Sequence, residues 1–173
     1  NLGKGAAILT GFAAAAAVSD WAITMDADGQ HYPQDARGLI KTIPKKNRPI
    51  IVGARTYKEG EHIPWTSRFG RKFSNFWVRT SGGPNISDSQ SGFRVYPLPE
   101  ALNLPTKARR FQFEVEILVQ ARRQGIPVIE APVRVDYNPG GERISHFRPF
   151  MDFLRNSSTF THLIFTRIFP PRK

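Results

Sequence analysis

The sequence predicts an α/β fold, a mostly parallel sheet with flanking helices. Three observations carry that expectation. Helical and strand-like segments alternate along the chain at the spacing of βαβ winding. Trp21-Ala22-Ile23-Thr24-Met25 is an apolar run of the kind that fills a buried strand in such a sheet. The run ends in Asp26, Asp28 and Gln30, which would put its acids at the carboxyl edge of the sheet, where open α/β folds bind ligands. At 173 residues and 40% apolar, the chain suffices for one domain with its own core.

The elements follow in order. Gly3-Lys4-Gly5 opens an alanine-rich helix over residues 6–18, suited to close packing on a neighbour. The apolar strand comes next. Pro33 starts a helix over 33–43, which Pro44 and the basic Lys45-Lys46-Asn47-Arg48 terminate. Ile50-Ile51-Val52-Gly53 reads as a short buried strand ending at Arg55. After a polar loop, residues 67–80 form an amphipathic helix with Phe69, Phe73, Phe76 and Trp77 on one side and Arg68, Arg71, Lys72 and Arg79 on the other. These aromatics take core-like helical positions. Gly82-Gly83-Pro84-Asn85 breaks the helix. The polar stretch from Ser87 to Gly92 then runs into a strand whose Phe93 and Tyr96 belong to the core. Residues 111–123 read as a helix and 127–135 as a strand. The tail from 147 combines Phe150, Phe153, Leu154, Phe160, Phe165 and Phe169 with Arg148, Arg155, Arg167 and Arg172. That pattern suits a C-terminal amphipathic helix lying on an anionic membrane, and suits an ordinary core-packing helix equally well.

The net charge of +11 points to anionic partners: nucleic acid, a phospholipid surface or phosphorylated substrates. Arginine supplies 17 of the 25 cationic side chains, which favours bidentate phosphate contacts. There is no cysteine, so disulfides and thiolate metal sites are excluded. No segment reaches the roughly 18 consecutive apolar residues of a membrane span.

Two aspartates one residue apart repel each other. A divalent cation bound to a phosphorylated substrate removes that repulsion, and Mg²⁺ or Mn²⁺ prefers oxygen ligands shared with phosphates. His31, His62, His146 and His162 have no ligand spacing. Lys4 could reach a phosphate from its Gly-rich turn at a helix N-terminus. Arg143 and His146 follow Pro139-Gly140-Gly141, a loop able to close over substrate or to serve as a plain turn.

Four segments in order resemble glycosyltransferase family 2, in particular its polyprenyl-phosphate (dolichyl-phosphate mannose synthase-like) branch. They are Asn1-Leu2-Gly3-Lys4-Gly5-Ala6-Ala7, Asp26-Ala27-Asp28-Gly29-Gln30, Gly53-Ala54-Arg55, and Asp88-Ser89-Gln90-Ser91-Gly92-Phe93-Arg94. The helix with Glu114 and Glu116 and the loop Glu142-Arg143-Ile144-Ser145-His146 are similar to that family as well. The resemblance implies a GT-A-type (Rossmann-like) fold. It implies Asp26, Asp28 and Gln30 as ligands of Mg²⁺ or Mn²⁺ on the diphosphate of a nucleotide sugar. It implies Arg55 and Arg68 as a clamp for a lipid-phosphate acceptor, with Lys4, Arg143 and His146 as further substrate contacts. Asp88, Arg94 and Glu114 are the catalytic candidates. Asp88 would act as general base towards a sugar hydroxyl; towards an anionic phosphate it would instead orient Arg94 or the acceptor. Glu114 faces the site, and Glu116 is structural.

Family members carry a strand, turn and strand for the nucleobase and ribose ahead of the Asn-x-Gly-Lys-Gly segment. The chain is therefore expected to be N-terminally truncated, with a partial catalytic domain over 1–146 and an amphipathic, membrane-interfacial tail over 147–173. The expected function is inverting transfer of a hexose from a nucleotide sugar to a polyprenyl or dolichyl phosphate. The place would be the cytoplasmic face of a membrane, with no nucleic-acid partner. The alternatives are a saccharide-hydroxyl acceptor in cell-envelope polysaccharide synthesis, an inactive family fragment, and a basic module that binds anions through charge alone.

Overall fold

The computed structural model describes residues 2–57, 65–136 and 149–169. The chain folds as α1 (Lys4–Ala15), β1 (Trp21–Thr24), α2 (Asp35–Lys41), β2 (Ile50–Thr56), α3 (Trp65–Thr80), β3 (Arg94–Pro97), α4 (Phe113–Arg123), β4 (Val128–Arg134) and α5 (Pro149–Ile168). The four strands form one sheet in the order β1-β3-β2-β4. β2 and β4 pair in parallel from Ile50↔Val128 to Thr56↔Arg134, whereas β3 runs antiparallel to both β1 and β2. Three strands thus share one direction and β3 is reversed between two of them.

Alternation along β2 divides the core between the two faces of the sheet. Ile50 and Val52 pack with Phe12, Tyr96, Ile117 and Leu118 on the side of α1 and α4, and Ile51 packs with Leu39, Phe93, Val95 and Val133 on the side of α2. A third cluster joins Val78 of α3, Val115 and Val119 of α4, and Phe160 and Leu163 of α5. Helix α4 therefore lies between the sheet and the α3–α5 pair, and every residue from Phe113 to Val119 is buried. Its glutamates need partners for that reason. Glu116 accepts hydrogen bonds from the amides of Lys107 and Ala108, at 3.0 and 2.7 Å, the structural role expected of it.

Two expectations are corrected. The strand at residues 21–24 is not deeply buried: among the described residues β1 is an edge strand, and Ile23 and Met25 are each 43% exposed. The aromatic side of α3 is only in part a core face. Phe69 and Phe76 are 60% and 53% exposed, whereas Trp77 packs against the third cluster and stacks on Phe160, and among the described side chains of that helix Ser74 and Val78 are buried. The small Ser74 lets α3 approach the polar loop before β3 closely. Among the described residues no helix is long and apolar enough to cross a membrane.

Candidate active site

The reversal of β3 assembles the site. Its preceding loop, residues 87–93, enters at the same sheet edge where β1 and β2 end, so Asp26, Arg55 and Asp88 meet there. The Thr24 hydroxyl donates to the Gly92 carbonyl at 2.8 Å, and the Gly53 amide donates to the Phe93 carbonyl at 2.8 Å. A Cβ at Gly53 would stand 2.8 Å from that carbonyl oxygen and 2.9 Å from Val133 Cγ1. The glycine of the Gly53-Ala54-Arg55 segment is thus required by close approach.

Asp88 is 1% exposed, and both its carboxylate oxygens are engaged by Arg55. The Arg55 guanidinium donates from Nε to Oδ2 and from Nη2 to Oδ1, each at 2.7 Å, and the Arg55 amide adds a bond to Oδ2 at 3.1 Å. Arg71 stands 4.0 Å from the same carboxylate and donates to the Tyr57 hydroxyl at 2.7 Å. The loop itself is fastened on two sides. Glu130 of β4 accepts from the Ser87 amide and hydroxyl and from the Asp88 amide. From α3, Asn75 accepts from the Ser89 amide at 2.9 Å and donates to the Ser87 carbonyl, while Ser74 and Ser89 share a hydroxyl bond at 2.8 Å.

On the other side of the site the Lys4 ammonium pairs with both Asp26 and Glu114. Burial works against its charge, but the Glu114 and Asp26 carboxylates outweigh that and hold Lys4 protonated well above its usual range. Asp28 is exposed and accepts from the Gln30 amide at 3.1 Å, a turn that Gly29 completes with a φ of +76°. His31 packs its ring edge on Phe93 at 5.2 Å. Burial lowers its pKa, against the pull of Asp26 and Asp28, so the imidazole is neutral at pH 7.

A family model described as glycosyl transferase family 2 matches residues 1–101. The chain belongs to glycosyltransferase family 2. Among similar proteins is a UDP-N-acetylglucosamine–dolichyl-phosphate N-acetylglucosaminyltransferase of Methanococcus voltae, 32% identical over 142 residues, which cover 79% of this chain and 57% of that protein. A polyprenol monophosphomannose synthase of Mycolicibacterium smegmatis is 27% identical, over 76% of this chain and 51% of its own length. A dolichyl-phosphate beta-glucosyltransferase of Trichomonas vaginalis is 32% identical, over 77% and 42%. The chain spans about half the length of the curated relatives it matches.

The mixed α/β architecture thus brings Lys4, Asp26, Arg55, Asp88 and Glu114 to one edge. Arg94 lies beneath that edge instead. It is fully buried, and its guanidinium donates to the carbonyls of Ser91, Ser89 and Glu114 at 2.6, 2.8 and 2.8 Å, so it holds the loop. Asp88 orients Arg55, not Arg94. Arg68 is exposed on α3, one turn before Arg71. Arg143 and His146 fall outside the described residues. Sequence reasoning missed Glu130, Arg71, Asn75 and the site-lining position of His31. Only Glu130 left a signal, as a lone carboxylate in the apolar stretch Val128-Ile129-Glu130-Ala131-Pro132-Val133.

Among the described residues no three His, Cys, Asp or Glu side chains are grouped to hold a metal ion. The donor set of Asp26, Asp28 and Gln30 nevertheless fits Mg²⁺ or Mn²⁺. Two carboxylates and a carboxamide are hard oxygen donors, and a set this small leaves coordination positions for phosphate oxygens and water.

Proposed function

We propose that this chain carries the catalytic edge of an inverting glycosyltransferase that moves a hexose from a nucleotide sugar to a polyprenyl phosphate at a membrane surface. The observation that carries the choice of acceptor is the state of Asp88. A general base must be free to take a proton, yet Asp88 is buried with both oxygens bonded to Arg55. A hydroxyl acceptor would need such a base. A phosphate monoester, with its second pKa near ~6, is already anionic at neutral pH and needs none.

The residues divide the work. Arg55, held by Asp88, and Arg71 and Arg68 on the adjoining face of α3 attract the acceptor phosphate and point an oxygen at the anomeric carbon. The attack proceeds in line, opposite the departing nucleoside diphosphate. Asp26, Asp28 and Gln30 would hold Mg²⁺ or Mn²⁺, which when bound supplies Lewis-acid neutralisation of the leaving diphosphate. Arg94 and Glu130 keep the loop of residues 87–93 rigid, so the clamp is organised before substrate arrives. The acceptors printed in the relatives' names favour the same reading. So does an apolar groove of about 250 Å³ between α3 and α5, lined by Phe73, Trp77, Ser157, Phe160 and Thr161, which suits an isoprenoid chain. Exposed Phe69 and Phe76 beside Arg68, Lys72 and Arg79, with exposed Phe165 and Ile168 on α5, suit the anionic cytoplasmic face of a membrane.

Asp88→Asn tests this mechanism in the full-length protein. With a phosphate acceptor the variant raises the acceptor KM, because Arg55 loses its anchor, and lowers kcat by less than about tenfold. A kcat loss of about 10²–10⁴-fold, with the rate no longer rising with pH, would mark Asp88 as a general base and the acceptor as a hydroxyl.

A further inference from the structure

Lys4 sits where a cation-binding carboxylate would need to be open. Its ammonium pairs with Asp26 and Glu114, and its side chain is 22% exposed. The seat is built from three sides. A Cβ at Gly3 would lie 2.6 Å from Arg110 Cγ, and one at Gly5 would lie 2.6 Å from Phe113 Cβ, so the start of α1 is pressed against the segment leading into α4. Gly92 closes the third side, where a Cβ would be 2.7 Å from Lys4 Nζ and 2.5 Å from Asp26 Oδ2.

We propose that Lys4 is a resident counter-ion competing with the divalent cation for Asp26, so that the cation binds tightly only together with a diphosphate that draws Lys4 away. The inference rests on the reading of Asp26, Asp28 and Gln30 as cation ligands. A cation arriving alone must displace an ammonium already paired with the carboxylate. A nucleoside diphosphate offers that ammonium a second anion within reach of its flexible four-carbon stem, and Asp26 is released to the cation. By linkage, the cation strengthens diphosphate binding by the factor by which diphosphate strengthens cation binding. The site then loads with cation and donor together, and Lys4 is a positioning residue rather than a plain phosphate contact.

Equilibrium dialysis of Mn²⁺ against the full-length protein, with and without inorganic pyrophosphate, tests the competition. In the unaltered protein, pyrophosphate tightens Mn²⁺ binding by about tenfold or more. Lys4→Met binds Mn²⁺ alone about tenfold tighter than the unaltered protein, and most of the pyrophosphate effect disappears. Glu114→Gln moves the other way, because it leaves Lys4 committed to Asp26, and this second variant decides the matter if Lys4→Met does not fold. Lys45→Met removes the same charge from an exposed loop that takes no part in the Lys4 seat, and shifts Mn²⁺ affinity by less than about twofold. Mn²⁺ binding to Lys4→Met no tighter than to the unaltered protein, or an equal gain in Lys45→Met, overturns the proposal. Undiminished Mn²⁺ binding when Asp28→Asn is added to Lys4→Met would instead overturn the ligand assignment beneath it.

Discussion

Glu130 shows how much of this site depends on single residues outside its motifs. Its carboxylate gathers the Ser87 amide and hydroxyl and the Asp88 amide, and so places the residue that holds Arg55. Glu130→Gln keeps the shape but weakens charge-assisted bonds, at a cost of about 1–2 kcal/mol in stability. The expected kinetic outcome is a raised acceptor KM with kcat changed only a few-fold, read from initial rates over a range of acceptor concentrations. Asp35 carries a pH dependence. The Arg134 side chain, the largest influence, holds the Asp35 carboxyl below its ordinary 3.8 despite burial. A carboxyl depressed on folding adds stability above its unfolded pKa and loses it as pH falls through the folded value. Urea midpoints of the unaltered protein and of Asp35→Asn should therefore differ above pH 3.8 and converge as the pH falls below it. Asp26, Asp28, Arg55 and Asp88 were legible because each stands at a strand end or in a polar loop. Arg71 and Asn75 were not, because charged and aromatic residues stand on both the inward and the outward sides of α3, and composition does not say which of them meet the loop.

At the scale of elements, α4 is the keystone of packing, and it contacts the sheet, α3 and α5 together. Leu118 is fully buried there, and Leu118→Ala is expected to cost about 2–5 kcal/mol, visible as a lower denaturant midpoint at unchanged slope. The existence and order of the elements were readable from hydrophobic period and from Pro and Gly punctuation. Strand direction was less so. β3 runs antiparallel to both β1 and β2, and four residues carry no mark of orientation. The edge position of β1 was hidden too, since an apolar run looks the same whether one or both of its sides are covered. The reversal has a consequence for chemistry. Were β3 parallel to its neighbours, the loop holding Asp88 would sit at the opposite end of the sheet from Asp26.

At the scale of the molecule, the net charge of +11 and the exposed apolar residues of α3 and α5 belong to one account. Vesicles containing anionic lipid should bind the full-length protein, and neutral vesicles should bind it far less. Raising salt beyond about 0.5 M should weaken the electrostatic share of that binding, because the Debye length shortens to a few ångströms. Phe165→Asp with Ile168→Asp should weaken association without lowering the melting temperature, since both side chains are about 60% exposed. Sedimentation with vesicles and a thermal melt read the two effects separately. The central claim is transfer to a phosphate without a general base, and one assay addresses it directly. The full-length protein, supplied with Mn²⁺ and a panel of radiolabelled nucleotide sugars, is offered either a short polyprenyl phosphate or the matching polyprenol. Transfer to the phosphate and not to the alcohol, abolished by a chelator, is the predicted result. Transfer to the alcohol, or no transfer from any donor by the folded protein, would contradict it.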